Sequence, residues 1–162
     1  MATVLLGLGT NLGDRRANLR TALGALGRLG TVEAASRVYE TAPLYVTDQP
    51  AFLNMAVRLS TSLPPAALLA GLKDMEAELG RVASVRYGPR LIDLDILVYE
   101  DVVMDTPDLV LPHPRLVERR FALAPLADVA PAAIHPGNGR TIAALLAALP
   151  ADDGVRVAYD QP

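Results

Sequence analysis

Two aspartates, Asp93 and Asp95, lie one residue apart in the otherwise aliphatic stretch "LIDLDILV" (91–98). Side chains alternate along a strand, so a strand here places both carboxylates on one face, with Cα atoms about 7 Å apart. Like charges that close repel each other unless a cation lies between them. The pair therefore indicates a metal site, and two solvated surface acids are the alternative. The opposite face is predicted to be purely apolar, with Ile92, Leu94, Ile96 and Val98.

Three arginines, Arg81, Arg86 and Arg90, precede the aspartates in residues 81–90, a segment without an acidic residue. Arginine presents a planar fork of donors that matches phosphate oxygens, and it stays charged at any working pH. Mg²⁺ prefers one or two protein carboxylates together with substrate phosphates and water. The two groups together predict a polyphosphate site with Mg²⁺ at Asp93 and Asp95. The alternative is a solvated loop whose arginines pair with the aspartates.

Four further side chains are candidates for ligand contact. Glu76 falls on the apolar stripe of a predicted helix, where a carboxylate needs a partner or lies at the rim of a pocket. His113 lies between two prolines and is either a structural hydrogen-bonding group or a catalytic one. Phe52 and Asn54 are predicted to lie on the same side at the start of a strand. An aromatic ring for stacking next to an amide for hydrogen bonding suits a flat, polar heterocycle. A core phenylalanine and a strand-end asparagine are the alternative.

The glycine-rich start "GLGTNLG" does not indicate a nucleotide-binding loop. Its glycines miss the G-x-G-x-x-G spacing, and no lysine follows at the P-loop position. Gly9 and Asn11 are instead predicted to be turn residues at a strand-to-helix corner.

Composition narrows the class of protein. The chain has 162 residues, a net charge of −3, 51% apolar residues and no cysteine, which predicts one domain spanning 1–162 in the cytoplasm. The net negative charge argues against a nucleic-acid or membrane-surface partner. No apolar run approaches the roughly 20 residues that span a bilayer. The start lacks a basic segment, so no signal peptide is expected.

The elements that must position these side chains follow from periodicity. Strands are predicted at 3–9, 32–40, 52–62 and 91–98, and helices at 14–28, from Pro64 to a stop at Gly80, and at 140–149. The tail from Pro150 is polar and predicted to be peripheral. The order strand–helix–strand–strand–helix–strand is typical of the α+β ferredoxin-like sandwich. We therefore expect a mainly antiparallel sheet with helices packed on one face.

Several stretches together resemble the 6-hydroxymethyl-7,8-dihydropterin pyrophosphokinase family. They are "LGLGTNLGD", "SRVYETAPLYVTDQPAFLNMAV", "ELGRV", "RYGPRLIDLDILVYED" and "LPHPRLVERRFALAPL", between about residues 5 and 131. The resemblance implies a ferredoxin-like fold and transfer of pyrophosphate from ATP to the pterin hydroxymethyl group in folate biosynthesis, with release of AMP. It implies two Mg²⁺ ions on Asp93 and Asp95. The substrates would be small molecules, and we expect a monomer.

The resemblance also assigns roles to residues. Arg81 and Arg90, with Asp93 and Asp95, would be catalytic. Residues 81–90 would be mobile without ligands and close over the nucleotide. The nucleotide-binding positions are Glu76, Arg81, Arg86, Tyr87, Arg90, His113 and Arg119. The pterin-binding positions are Thr41, Pro43, Leu44, Phe52, Asn54, Asp93 and Phe121, with the rings of Phe52 and Phe121 on either side of the pterin.

Two other classes of function fit parts of the sequence. Metal-dependent nucleotidyl transfer or phosphodiester hydrolysis also uses paired aspartates, but it would need a nucleic-acid groove, and the net charge argues against one. A ferredoxin-like regulatory module that binds a small molecule would need no metal. ATP binding measured with and without Mg²⁺ separates these classes.

Overall fold

A six-stranded antiparallel sheet forms the centre of the fold. The computed structural model describes residues 1–42, 48–80, 91–150 and 154–162. The strands are β1 (Ala2–Thr10), β2 (Thr31–Ala35), β3 (Val38–Thr41), β4 (Phe52–Thr61), β5 (Asp93–Tyr99), β6 (Met104–Asp105), β7 (Val110–Leu111) and β8 (Arg156–Tyr159). The α-helices are α1 (Arg15–Ala25), α2 (Pro65–Glu78), α3 (Arg120–Val129) and α4 (Ile142–Ala147). Single 3₁₀ turns occupy Leu26–Arg28 and Leu116–Glu118.

The strand order confirms the predicted ferredoxin-like α+β class. The sheet runs β5-β1-β4-β3-β8, with β2 also paired to β4, and β6 and β7 form a separate two-stranded ribbon. The predicted strand over 32–40 is divided, because Ser36 and Arg37 lie between β2 and β3. Ser36 keeps this break attached to β4, since its N–H donates to the carbonyl of Ala56 at 2.9 Å and its hydroxyl accepts from the Ala56 N–H at 2.8 Å.

Helices cover both faces of the sheet, so the prediction of helices on one face is wrong. α1 and α2 pack on one face through a core that includes Leu19, Leu72 and Met55. α3 and α4 pack on the other, through a second core of buried residues: Leu5, Ala56, Leu97, Val98, Leu116, Leu123, Leu126, Val129, Ala130, Ile142 and Leu145. The sequence analysis missed α3, whose interior contains Pro125. We refer to this second side of the sheet as the α3 face.

A β-bulge changes the direction of side chains in β5. Leu6 pairs with Ile96 and Leu5 with Val98, so Leu97 is an extra residue between them. The predicted alternation holds from Ile92 to Ile96, but Val98 packs on the α3 face with Leu97, which makes its predicted side wrong.

The remaining elements differ from prediction mainly at their ends. α1 begins after Asp14, whose carboxylate accepts from the Ala17 N–H, and α2 follows Pro64 as expected. The last predicted helix is shorter than 140–149. The polar tail, predicted only to be peripheral, supplies the edge strand β8. Within the described ranges, the longest and most apolar helices still fall short of what a bilayer span requires.

Candidate active site

The α3 face is polar at one end, where four strands contribute one row of aligned residues. Asp93 of β5 pairs with Gly9 of β1, Gly9 pairs with Asn54 of β4, and Asn54 pairs with Tyr39 of β3. Residues directly opposite each other in antiparallel strands project to the same face. With strands about 4.8 Å apart, Asp93 and Asn54 lie about 10 Å apart with a glycine between them.

Two glycines of β1 lie beside the aspartates, and neither has a side chain of its own. Gly7 pairs with Asp95 and Gly9 with Asp93. A Cβ at Gly9 would lie 3.0 Å from Asn54 Oδ1, so that amide oxygen points toward the glycine. The prediction that Gly9 is a turn residue is wrong, because β1 continues through Thr10. Gly7 and Gly9 thus form a strip of backbone without side chains of its own, here called the glycine floor. The side chain of Leu97 covers it at Gly7, where a Cβ would lie 3.2 Å from Leu97 Cδ1.

The surroundings of Asp95 disfavour its charged form. Asp93 and Asp95 are both partly buried at the start of β5. Burial raises the pKa of Asp95, and the negative charges of Asp93 and Glu76 raise it further; Lys73 and Arg119 oppose the shift. A carboxylate that resists ionisation in this way is stabilised by positive charge placed beside it.

The donors present fit magnesium. Among the described residues, no group of three or more His, Cys, Asp and Glu side chains is placed to hold a metal ion by itself. Two carboxylates suit Mg²⁺, which usually keeps its other coordination positions for phosphate oxygens and water.

Glu76 has a partner within the protein. It is 2% exposed, and its Oε2 accepts a hydrogen bond of 2.9 Å from the N–H of Leu94, the residue between the two aspartates. Its Oε1 lies 3.5 Å from Nζ of Lys73. The contact links α2 to the backbone of β5, the outer strand of the sheet. This hydrogen bond satisfies the need for a partner that the sequence raised.

His113 and Arg119 lie near the aspartates. Nδ1 of His113 accepts from the Arg115 N–H at 3.2 Å, so the neutral ring carries its proton on Nε2. Burial lowers the pKa of His113, the charges of Arg119 and Arg115 add to this, and Asp93 opposes it. The guanidinium carbon of Arg119 lies 5.5 Å from the ring centroid of Phe121.

Three of the predicted ring-binding residues, Thr41, Phe52 and Asn54, lie at the other end of the glycine floor. Thr41 pairs with Phe52 across β3 and β4, and Nδ2 of Asn54 donates to Thr41 Oγ1 at 3.2 Å. Phe52 and Asn54 share the α3 face with Ala56. Phe121 lies in the first turn of α3. The structure thus places Thr41, Phe52 and Asn54 together.

Six of the predicted site residues lie outside the described residues. They are Pro43, Leu44, Arg81, Arg86, Tyr87 and Arg90. The predicted closing of residues 81–90 also falls outside the described ranges.

Sequence reasoning assigned no site role to two residues next to the ring-binding end, although it named Asn11 as a turn residue. Asn11 is fully buried, and its Nδ2 donates to Gln49 Oε1 at 2.9 Å and to the carbonyl of Pro50 at 3.0 Å. Arg15 donates to the carbonyl of Ala51 at 2.8 Å. Their partners lie about 40 residues away along the chain, so no local pattern could reveal either contact.

Comparison with known proteins agrees with the predicted resemblance. A sequence profile described as 7,8-dihydro-6-hydroxymethylpterin-pyrophosphokinase (HPPK) matches residues 5–131. The 2-amino-4-hydroxy-6-hydroxymethyldihydropteridine pyrophosphokinase of Bacillus subtilis is 48% identical over 126 residues, which cover 76% of this chain and 75% of that protein. The Aquifex aeolicus protein of the same name is 43% identical, over 84% of this chain and 85% of its own length.

Longer relatives contain additional sequence. The mitochondrial folate synthesis bifunctional protein of Arabidopsis thaliana is 49% identical over 81% of this chain, but the match covers only 24% of that protein. This chain therefore spans about a quarter of the length of such curated relatives. A crystal structure of HPPK-DHPS from Plasmodium falciparum matches 90% of this chain and 42% of its own, with a TM-score of 0.73 and 20% identity, which supports the fold. The chain belongs to the 7,8-dihydro-6-hydroxymethylpterin-pyrophosphokinase family.

Proposed function

We propose that this chain transfers a pyrophosphoryl group from ATP to 6-hydroxymethyl-7,8-dihydropterin in folate biosynthesis. The pterin hydroxyl oxygen attacks the β-phosphorus, the bond from that phosphorus to the α-phosphate oxygen breaks, and AMP leaves. The hydroxyl proton is released, and the product is the pterin diphosphate. The observation that carries this proposal is the row Asp93–Gly9–Asn54, in which a glycine separates an acidic side chain from an amide side chain.

The acidic end suits the triphosphate. Asp93 and Asp95 would hold two Mg²⁺ ions, which when bound neutralise charge on the phosphate oxygens during transfer. Arg81 and Arg90 would bind phosphates, with Arg86 and Tyr87 nearby. These four assignments rest on the sequence alone.

Three further side chains support the nucleotide end. His113 would donate a hydrogen bond from Nε2, because its Nδ1 already accepts one. Arg119 would add positive charge beside the phosphates. Glu76 would act through Leu94, holding the strand segment that carries the two aspartates at a fixed distance from α2.

The opposite end suits the pterin. Asn54 and Thr41 would bond the polar edge of the ring, and Phe52 and Phe121 would stack on its two faces. Pro43 and Leu44 are assigned to this pocket from the sequence alone. With the ring at Asn54, the hydroxymethyl group would reach toward Asp93 across Gly9, which lies between them and has no side chain of its own.

The remaining predictions concern the chain as a whole. A single domain over 1–162, a monomeric state and a cytoplasmic location stay predictions, while the names of two plant relatives place those proteins in mitochondria. Sedimentation of the purified chain tests the monomer. The two alternatives raised from the sequence, nucleic-acid chemistry and a regulatory module, gain no support from the relatives.

Product analysis tests the proposed reaction directly. ATP, Mg²⁺ and the hydroxymethyl-dihydropterin are incubated with the chain, and the nucleotide products are separated by chromatography. We expect AMP and pterin diphosphate in equal amounts, and no product after chelation of the metal. Formation of ADP, or AMP without pterin diphosphate, would overturn the proposal.

A further inference from the structure

We infer that Arg15 is a positioning residue for pterin binding, an inference that rests on the proposed function. Arg15 is the first residue of α1 and does not belong to the predicted site. Its Nη1 donates to the carbonyl of Ala51 at 2.8 Å and lies 3.2 Å from Oε2 of Glu40. Ala51 directly precedes Phe52, and Glu40 directly precedes Thr41. One guanidinium therefore binds next to both residues of a cross-strand pair.

This pair lies where the β3–β4 ladder ends. Thr41 and Phe52 are the last partners in the register of these two strands. Terminal pairs of a ladder open more readily than central ones because fewer contacts hold them. Arg15 forms hydrogen bonds to both strands at this end of the ladder, and it therefore keeps the side chains of Thr41 and Phe52 at a fixed separation.

Arginine suits this role by its chemistry and its exposure. The guanidinium has several donors in a rigid plane, so it can bond a carbonyl and a carboxylate together. The side chains of Arg15 and Glu40 are 28% and 24% exposed. Partial burial makes this pair stronger than an ordinary surface ion pair, and a backbone carbonyl is among its acceptors.

Arg15 is itself held in place by the corner between β1 and α1. Asp14 caps the helix, and Nδ2 of Asn18 donates to the carbonyl of Leu12 at 2.8 Å and to Thr10 Oγ1 at 3.2 Å. This corner directly follows the strand that carries the glycine floor. Arg15 thus connects the ring-binding strand ends to the strand that lies beside the two aspartates.

A second arginine provides a matched control. Arg156 of β8 binds the other oxygen of Glu40 at 2.8 Å, but its side chain is 75% exposed and it bonds no atom of residue 51 among the contacts seen. An exposed ion pair of this kind contributes little. Loss of Arg156 removes one charge from the same carboxylate without affecting the bond to Ala51.

The test compares binding of the two substrates by calorimetry. Arg15→Ala should raise the dissociation constant for the pterin about tenfold, the usual effect of losing a hydrogen bond with a charged partner. The dissociation constant for a nonhydrolysable ATP analogue with Mg²⁺ should change by less than about twofold. Arg156→Ala should leave both constants within about twofold of those of the unchanged chain. Arg15→Gln, which keeps an N–H for Ala51, should give an intermediate pterin affinity and serves if the alanine variant does not fold.

The outcomes separate the inference from the proposed function. Equal weakening of both substrates, or unchanged pterin affinity in both Arg15 variants, overturns the positioning role alone. Failure of the unchanged chain to bind the pterin overturns the proposed function and the inference with it. A pterin-specific loss in the Arg15 variants, with Arg156→Ala unaffected, supports the inference.

Discussion

Two carboxylate sites on the α3 face differ in how their charge is balanced. Asp128, near the end of α3, accepts hydrogen bonds from the Nε, Nη2 and backbone N–H of Arg37 and from the hydroxyl of Tyr39, at 2.9 to 3.1 Å. Burial acts to raise the pKa of Asp128, but the bonds from Arg37 and Tyr39 outweigh it and lower that pKa. Its charge is satisfied within the protein and connects α3 to β3.

Asp95 has the opposite balance. Burial and the negative charges of Asp93 and Glu76 raise its pKa, and the positive charges of Lys73 and Arg119 only partly offset them. The same face of one sheet therefore holds one carboxylate, Asp128, that stabilises the folded chain and another, Asp95, whose charged form is disfavoured by its surroundings. Sites that bind or react commonly retain such unfavourable electrostatics. The difference separates an acid that stabilises the fold from an acid that is a candidate for binding a ligand.

The largest expected effect is on turnover. Asp93→Ala or Asp95→Ala should lower the single-turnover rate of AMP formation by about a thousandfold or more, because the cation that neutralises moving phosphate charge loses a ligand. Circular dichroism should show an unchanged fold. Asp128→Asn is the matched control, since it removes a charge from the same face and should change the rate by less than about threefold. A near-normal rate in both site variants would show that the pair is not a functional site.

The second effect is on pterin affinity. Asn54→Ala should weaken binding of the pterin by about 1–3 kcal/mol, because a buried polar edge of the ring loses its partner. ATP binding should be almost unchanged. Calorimetry with each substrate measures both quantities. Equal losses of affinity for the two ligands would instead show that Asn54, like Asp128, has a structural role.

The third effect is on stability. Asp128→Asn should lower the free energy of unfolding by about 1–2 kcal/mol, because Tyr39 and Arg37 lose a charged acceptor while half-exposed Arg37 recovers part of the loss from water. Urea denaturation measures the change. If Asp128→Asn is as stable as the unchanged chain, the contrast between the two carboxylate sites is lost.

The fourth effect is a pH dependence of opposite sign at the two sites, measured without metal or nucleotide. The pKa of Asp95 is raised on folding, so its contribution to the free energy of unfolding falls as pH rises from about 4 through the folded value. Asp95→Asn should therefore be more stable than the unchanged chain at pH 8, with the difference disappearing toward pH 4. Asp128 has a lowered pKa, so its stabilisation is present above about pH 4 and is lost at more acid pH. A destabilised Asp95→Asn at pH 8 would contradict the assigned direction.

The smallest effect is expected at Tyr39, which lies beside Asn54 in the same row. Burial, and then its bond to Asp128, raises the pKa of Tyr39 to about 12, so the hydroxyl is a donor at neutral pH. Tyr39→Phe should lower the free energy of unfolding by about 0.5–1 kcal/mol, because Asp128 keeps its bonds to Arg37. Pterin affinity should not change. A loss of affinity here would extend the ligand site across β3.

Local patterns were enough to predict how several side chains of the candidate site are placed relative to each other. Alternation along one strand placed Asp93 and Asp95 on the same face, because that geometry depends only on neighbouring residues. The same reasoning placed Phe52 and Asn54 together. The alternation failed at Val98, where the extra residue Leu97 shifts the register against β1, a property of two strands rather than one.

Other features depend on contacts between distant parts of the chain. The sequence could not show that Gly9 lies between Asp93 and Asn54, because that requires the registers of β1 with both β5 and β4. It could not show that Glu76 bonds the Leu94 N–H. The helix α3 was missed since Pro125 interrupts its pattern, and the strand β8 was missed because a short polar segment gives little periodic signal.

The bulge at Leu97 divides β5 into two segments whose side chains follow different alternations. Before it, the α3 face of the strand carries the acids; after it, the same face is filled by Leu97 and Val98, which join the second core. The extra residue shifts the alternation of side chains, so the pattern that places the two aspartates on this face does not continue into the segment that packs in the second core. Substitutions in the part of the core beyond Leu97 can therefore change its packing without changing the direction of either aspartate side chain. Deletion of the extra residue would restore one continuous alternation, so the side-chain directions of the two segments of β5 would again depend on each other.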